Sequence, residues 1–271
     1  MDPKSKEKTA FSVNDRLFAF RTMPFGLRNA PAHFSRFMSS ILTGFVGSIV
    51  LVYLDDIIIL GNTIQEHYAN CRKILEILSS YNLRLQPTKC HMCLKPLAFG
   101  GHKVSATGIQ PLHDEVLAIK SYPTPRNGKD ISSFLGLASY YRRYIPQFAD
   151  LSRPLDHLRR ADPFVWLPMH DTAFNALKER LTSDVVLAYP NFEKPFLVTA
   201  DASGEAIGGV VAQIDDTNRE RPISYASRVL NQAERNYSTL HRECLAIIFV
   251  LTKHRYILLG YPIQINSDQK P

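Results

Sequence analysis

Phe34, Phe37, Met38 and Ile41 recur at spacings of three and four, which predicts a helix over residues 32–42 with Pro31 at its first turn. The turn formers Pro24, Gly26, Asn29 and Pro31 keep residues 21–31 irregular. Two β-branched apolar runs follow, residues 49–53 and 57–60, and Leu54-Asp55-Asp56 between them predicts a tight hairpin with an apolar body. Helical period returns over residues 65–81, with Ile74, Leu75, Ile77 and Leu78 on the apolar face.

Beyond residue 95 the pattern changes. A short β-like piece at 99–105 precedes helical segments punctuated by Pro111, Pro123, Pro125, Pro146, Pro154, Pro163 and Pro168. The run Tyr140-Tyr141-Arg142-Arg143-Tyr144 interleaves aromatics with arginines. It suits a strip that tracks a nucleic-acid backbone, and equally a helix with a half-buried aromatic face and a solvated basic one. From about residue 190, strands are predicted at 196–199, running into Ala200-Asp201, at 206–214 and at 222–226. A long helix over 237–259, with Leu240, Ile247, Ile248 and Leu251 on one side, and a last strand at 262–266 complete an α/β layer. Three blocks result, 1–95, 96–190 and 191–271.

Composition narrows the class. With 45% hydrophobic and 21% charged residues over 271 positions, a disordered chain and a collagen are excluded, and a real core can form. The 32 basic against 25 acidic residues leave a net charge of +7, which favours a polyanionic partner. Cys71, Cys90, Cys93 and Cys244 are too few and scattered for a disulfide framework, and a second ligand pair to make Cys90-His91-Met92-Cys93 a zinc site is missing, so Cys90 and Cys93 read as core residues. Residues 1–8 are charged and carry no signal peptide. The longest apolar stretch, 41–60, contains Asp55 and Asp56 and makes no membrane span. The expectation is an intracellular protein of cytoplasm or nucleus.

Adjacent aspartates at the tip of an apolar hairpin form a solvated turn unless something draws them together, and a divalent metal would offset both their burial and their repulsion. Mg²⁺ suits such a pair, because it takes few protein carboxylates and completes its shell with substrate phosphates.

Tyr53-Leu54-Asp55-Asp56 resembles the YxDD hairpin of reverse transcriptases. Residues 23–31, MPFGLRNAP, resemble the loop before the template-contacting helix of LTR-retrotransposon polymerases. Thr88-Lys89-Cys90 is similar to the family's KC element, Gly101-His102 with Ser105 to its primer-grip hairpin, and residues 134–137 and 140–145 to its FLGL and YYRRFI runs. On these motifs the chain is similar, over essentially its whole length, to gypsy-type Pol polyproteins. The resemblance implies an α+β and α/β fold: a partial palm at 1–95, primer-grip hairpin, thumb and connection at 96–190, and a truncated RNase H-like domain at 191–271. It implies Mg²⁺, with Mn²⁺ as a substitute, on Asp55 and Asp56, and nucleotide or template contacts at Phe25, Gly26 and Lys89. It further implies a primer grip at Gly101 and His102, and hydrolytic metal ligands at Asp201, Glu243 and Asp268. The implied partners are an RNA template, a DNA primer, their hybrid and deoxynucleoside triphosphates; oligomeric state is unspecified.

Departures temper the expected activity. The family's other palm aspartate lies upstream of the segment matching Lys8-Thr9-Ala10-Phe11, so it and the fingers would precede Met1, and the rest of RNase H would follow Pro271. Phe99-Gly100-Gly101-His102 replaces FLGH, with Gly100 removing a packing side chain, and Gln269 follows Asp268 where His is common. The expectation is an internal piece of a Pol polyprotein, impaired or inactive by itself; the alternative is a non-catalytic nucleic-acid-binding remnant.

Overall fold

A computed structural model describes residues 2–183 and 185–266, and the chain separates into two compact units, Met1–Met92 and Cys93–Pro271. Asp268 lies outside the described residues.

In the first unit a short helix α1 (Pro3–Lys6) leads into a hairpin of β1 (Phe11–Val13) and β2 (Arg16–Phe18), then α2 (Ala30–Ile41). The second hairpin pairs β3 (Val50–Tyr53) with β4 (Asp56–Ile59), and α3 (Ile64–Ser80) follows. Thr63 starts α3 by accepting from the Glu66 amide, while the Glu66 carboxylate accepts from the Asn62 amide. Met38, Leu42, Val50, Ile74 and Leu78 form the core between these helices and the hairpin. The predicted faces are trimmed: Phe37 and Leu75 are exposed, Phe37 lying edge-on to Tyr81 at 6.1 Å. Cys90 and Cys93 are exposed, which corrects their reading as core residues; Cys244 is exposed as well, and Cys71 is buried.

The second unit opens with an antiparallel meander of β5 (Leu97–Phe99), β6 (His102–Ser105) and β7 (Gly108–Pro111), where the apolar pattern predicted one piece. Four helices follow, α4 (His113–Lys120), α5 (Gly128–Tyr140), α6 (Phe148–Leu158) and α7 (Pro168–Thr182), with a 3₁₀ turn at Arg142–Tyr144. Their core holds Ile131, Phe134, Tyr141, Tyr144, Leu155 and Leu177. Phe134 is fully buried, 4.6 Å from the Phe174 ring and 5.3 Å from Tyr122. Phe134→Ala is expected to cost about 3–5 kcal/mol, read as a drop of roughly 10 °C in the melting temperature of the second unit. A shift under about 3 °C would place this ring outside the cooperative core.

The remaining elements form one sheet with strand order β10-β9-β8-β11. β8 (Phe196–Ala202), β9 (Ala206–Ile214) and β10 (Glu220–Val229) are antiparallel neighbours, and β11 (Ile263–Asn266) lies parallel to β8. The parallel step needs a crossover, which α8 (Thr239–Lys253) and α9 (Arg255–Leu258) supply. The predicted single helix is therefore two. Ser238 caps the start through the His241 amide, and at the far end the His254 ring sits 3.0 Å from the Val250 carbonyl beside its own amide. Leu240 and Ile248 are exposed; the sheet-facing side is Glu243, Ala246 and Val250. Gly209 permits this packing, since a Cβ there would lie 2.3 Å from the Thr199 carbonyl oxygen and 2.8 Å from Val250.

Candidate functional site

Asp55 and Asp56 sit at the β3–β4 turn, Asp56 paired in register with Tyr53. Leu54 adopts φ 55°, a left-handed conformation that costs a bulky residue about 1–3 kcal/mol and concentrates at functional turns. Both carboxylates are exposed, and neither has a hydrogen bond or ion pair to another described residue. The hairpin is less of a core element than its apolar runs imply, because Leu51 and Tyr53 are exposed. Within the same unit, Phe25 is fully exposed beside Gly26, whose φ of 87° the loop requires, and Lys89 ends an exposed 3₁₀ turn, Pro87–Lys89.

The meander of the second unit is held tightly. Gly100 and Gly101, at φ 52° and 73°, form the two-residue turn between Phe99 and His102. Gly100 serves the backbone: a Cβ there would meet open space, so no packing side chain is lost. Gly101 is different, since a Cβ would lie 3.1–3.2 Å from Tyr140 and Tyr141. Those tyrosines donate to the turn, Tyr140 to the Gly100 carbonyl at 2.6 Å and Tyr141 to the Gly101 carbonyl at 3.0 Å. Tyr144 shares a 3.0 Å hydrogen bond with His102 Nδ1, and the Tyr140 ring stacks on His102 at 5.5 Å. Two of the three tyrosines, Tyr141 and Tyr144, are thus buried structural anchors, while Arg142 is exposed. The motif was visible in the sequence; its grip on a turn 40 residues upstream was not, because only the tertiary fold joins them. Gly101→Ala combines a left-handed φ with a crowded Cβ and is expected to cost about 1–3 kcal/mol. An unchanged urea midpoint would contradict this packing.

Burial pushes the Tyr141 hydroxyl up to about 12 and Tyr144 higher still, so both remain donors. Burial, with Arg143 second, lowers His102; burial also lowers His254, with Lys253 and Arg143 adding to it. Both imidazoles are therefore held neutral in the folded chain. The unfolded chain takes up protons near pH 6.5 before the folded one does. Stability is expected to be full above about pH 6.5 and to be lost as pH falls through the lower folded values. Melting temperatures from pH 7.5 to 5 check this: the decline should be shallower in His254→Gln, and equal slopes would refute it.

Asp201 lies near the end of β8, and its Oδ2 accepts from Gln147 Nε2 at 3.0 Å. Gln147 precedes α6 with φ 51°, and nothing in its sequence position signals this contact. Ser203 Oγ donates to Asp150 Oδ1 at 3.2 Å, a second tie between α6 and the end of β8. Glu243 is buried in α8, which packs against β8. Asp201 and Glu243 thus stand on adjoining elements. Among the described residues no three His, Cys, Asp or Glu side chains form a metal-holding group. No helix among them is long and apolar enough to cross a membrane.

Residues 1–137 match the family described as reverse transcriptase (RNA-dependent DNA polymerase), and residues 166–265 the RNase H-like domain found in reverse transcriptase. The chain is 41% identical over 273 residues to the retrovirus-related Pol polyprotein from transposon 297 of Drosophila melanogaster, covering 100% of this chain and 25% of the relative. To the Pol polyprotein from transposon gypsy of the same fly it is 38% identical, covering 98% and 27%. To the Tf2-3 polyprotein of Schizosaccharomyces pombe it is 33% identical, covering 98% and 20%. The chain thus spans about a quarter of the length of these relatives. Among solved structures, a foamy viral protease-reverse transcriptase in complex with double-stranded DNA superposes with TM-score 0.87 at 24% identity, covering 100% of this chain and 48% of that one. The foamy viral enzyme in complex with an RNA/DNA hybrid gives 0.84 at 25%, covering 100% and 37%.

Proposed function

The chain belongs to the reverse transcriptase (RNA-dependent DNA polymerase) family, and from that premise we propose that it supplies palm, primer-grip and RNase H elements to copying of RNA into DNA and removal of the copied RNA. The observation that carries the reading is the β3–β4 turn, which presents two adjacent carboxylates free of other described partners. Families of this kind use divalent metals. The donor set at the turn fits one, since hard carboxylate oxygens suit Mg²⁺, with Mn²⁺ as substitute. Asp55 and Asp56 would hold it for polymerisation, and Asp201, Glu243 and Asp268 would hold the hydrolytic ions. When bound, such ions polarise phosphoryl oxygen and stabilise the leaving oxygen.

The chain's own residues orient and bind. In this reading Phe25 and Gly26 shape the template and nucleotide pocket, and Lys89 contacts the incoming triphosphate. Gly101 and His102 hold the primer end on a turn that three tyrosines immobilise. Gln147 orients the Asp201 carboxylate and leaves its second oxygen for a metal. The proposed divisions are 1–95, 96–190 and 191–271, with an RNA template, DNA primer, their hybrid and deoxynucleoside triphosphates as partners.

Primer extension on an RNA template, by protein carrying these residues in their polyprotein frame, tests the reading. It would be run with Mg²⁺, with Mn²⁺ and with EDTA, and hybrid cleavage would be read in the same tubes. Metal-dependent products in both assays support it. Hybrid binding without either product would favour a binding role, for which the basic cleft below is the relevant observation.

A further inference from the structure

A cleft of 300 Å³ opens in the second unit, and neither Asp201 nor Glu243 lines it. Its walls come from the 3₁₀ turn (Arg142, Arg143), β10 (Ser224–Arg228) and the end of α8 with α9 (Phe249, Lys253, His254, Tyr256). That volume is at the small end of ligand sites, which run from roughly 300 to 1,000 Å³.

Its charge is one-sided. No carboxylate lines it. Arg228 is already neutralised by a two-pronged pair with Glu234 at 2.6 and 2.8 Å. Arg142, Arg143 and Lys253 form no ion pair with any described residue. The Arg143 Nε is buried and has no hydrogen-bond partner. A buried donor without an acceptor carries its full desolvation penalty, so no hydrogen bond at Nε offsets the Arg143 charge. Arg143 stands close enough to His254 and to His102 to add to the lowering that burial imposes on both. The carboxyl end of α8 opposes an anion, but the macrodipole is worth about half a charge, less than Lys253 alone.

We propose that this cleft is a phosphate-binding site, and that the phosphate it takes is a backbone phosphodiester of a bound nucleic-acid strand. The unpaired cations of the cleft come from a 3₁₀ turn and a helix end, and a phosphodiester offers two charged oxygens that such donors can share. Arg228 covers the Phe249 ring at 5.4 Å, so it is engaged within the lining and leaves Arg142, Arg143 and Lys253 as the unpaired cations. The site stands independently of either catalytic assignment.

The test is fluorescence anisotropy of the 271-residue chain with a labelled RNA–DNA hybrid over a salt series. Beside it, inorganic phosphate is titrated while the His254 ring resonances are followed by NMR. Arg142→Gln and Lys253→Gln, singly and together, suit it because both residues are exposed and the fold is spared. The double variant is expected to bind the hybrid about tenfold more weakly near physiological salt, with the log–log salt slope shallower by about two. Wild type should shift its His254 resonances with phosphate and the double variant should not. Phosphate shifts with an unchanged hybrid slope would support the pocket and assign it to free phosphate or nucleotide instead. Neither effect, or an equal loss of slope in Arg219→Gln outside the cleft, would overturn the proposal.

Discussion

In protein carrying these residues in their polyprotein frame, exchange of Asp55 and Asp56 together for asparagine is expected to lower primer extension on an RNA template by at least about three orders of magnitude, with hybrid cleavage held within about twofold. The size follows from the charge removed. A metal stabilises the charge of phosphoryl transfer by several kcal/mol, and each 1.36 kcal/mol is tenfold in rate. Asparagine keeps the size and the turn preference of aspartate. Both side chains are exposed and make no bond to another described residue, so folding is expected to change by less than about 0.5 kcal/mol. A melting curve that superposes on wild type, with extension gone, is the predicted pair of results. Extension within tenfold of wild type would remove these residues from the chemistry.

Glu243→Gln is expected to do the reverse: hybrid cleavage falls by about a thousandfold and extension is retained. Glu243 points toward the sheet from the second turn of α8, and Asp201 stands on the strand that α8 covers. Gln preserves volume and hydrogen-bonding capacity while removing the anion a metal needs. Added Mn²⁺ should recover little of the loss, because the missing ligand is a charge. Cleavage that survives in Glu243→Gln, with its Asp201→Asn counterpart equally active, would assign these carboxylates to structure. Loss of both activities at once would point to a folding defect, which circular dichroism separates from a lost ligand.

The site was unevenly legible in the sequence. The Asp55-Asp56 turn could be read directly, because a hairpin is local and its apolar flanks frame the break. The strand at 206–214 and the helix that follows were legible for the same reason, although α8 ends at Lys253, where the His254 ring sits 3.0 Å from the Val250 carbonyl. Exposure was less legible. Leu75, Leu240 and Ile248 follow helical period but face outward, since period fixes which residues share a face and the neighbouring elements fix how wide a stripe is covered. Cys90 and Cys93 sit in a segment of turns without an element to bury them.

What the sequence by itself determined is therefore the family, the order of elements and the candidate carboxylates, all carried by local pattern and motif spacing. What only the tertiary structure decided is which groups touch. Tyr140, Tyr141 and Tyr144 clasp Gly100, Gly101 and His102 across 40 residues or more, Gln147 reaches Asp201 across 54, and Arg142 and Arg143 meet Lys253 and His254 around one cleft. Such contacts leave no local periodic signal, because they depend on how helices close over a sheet. That packing is set by the summed burial of apolar side chains far from the residues it brings together.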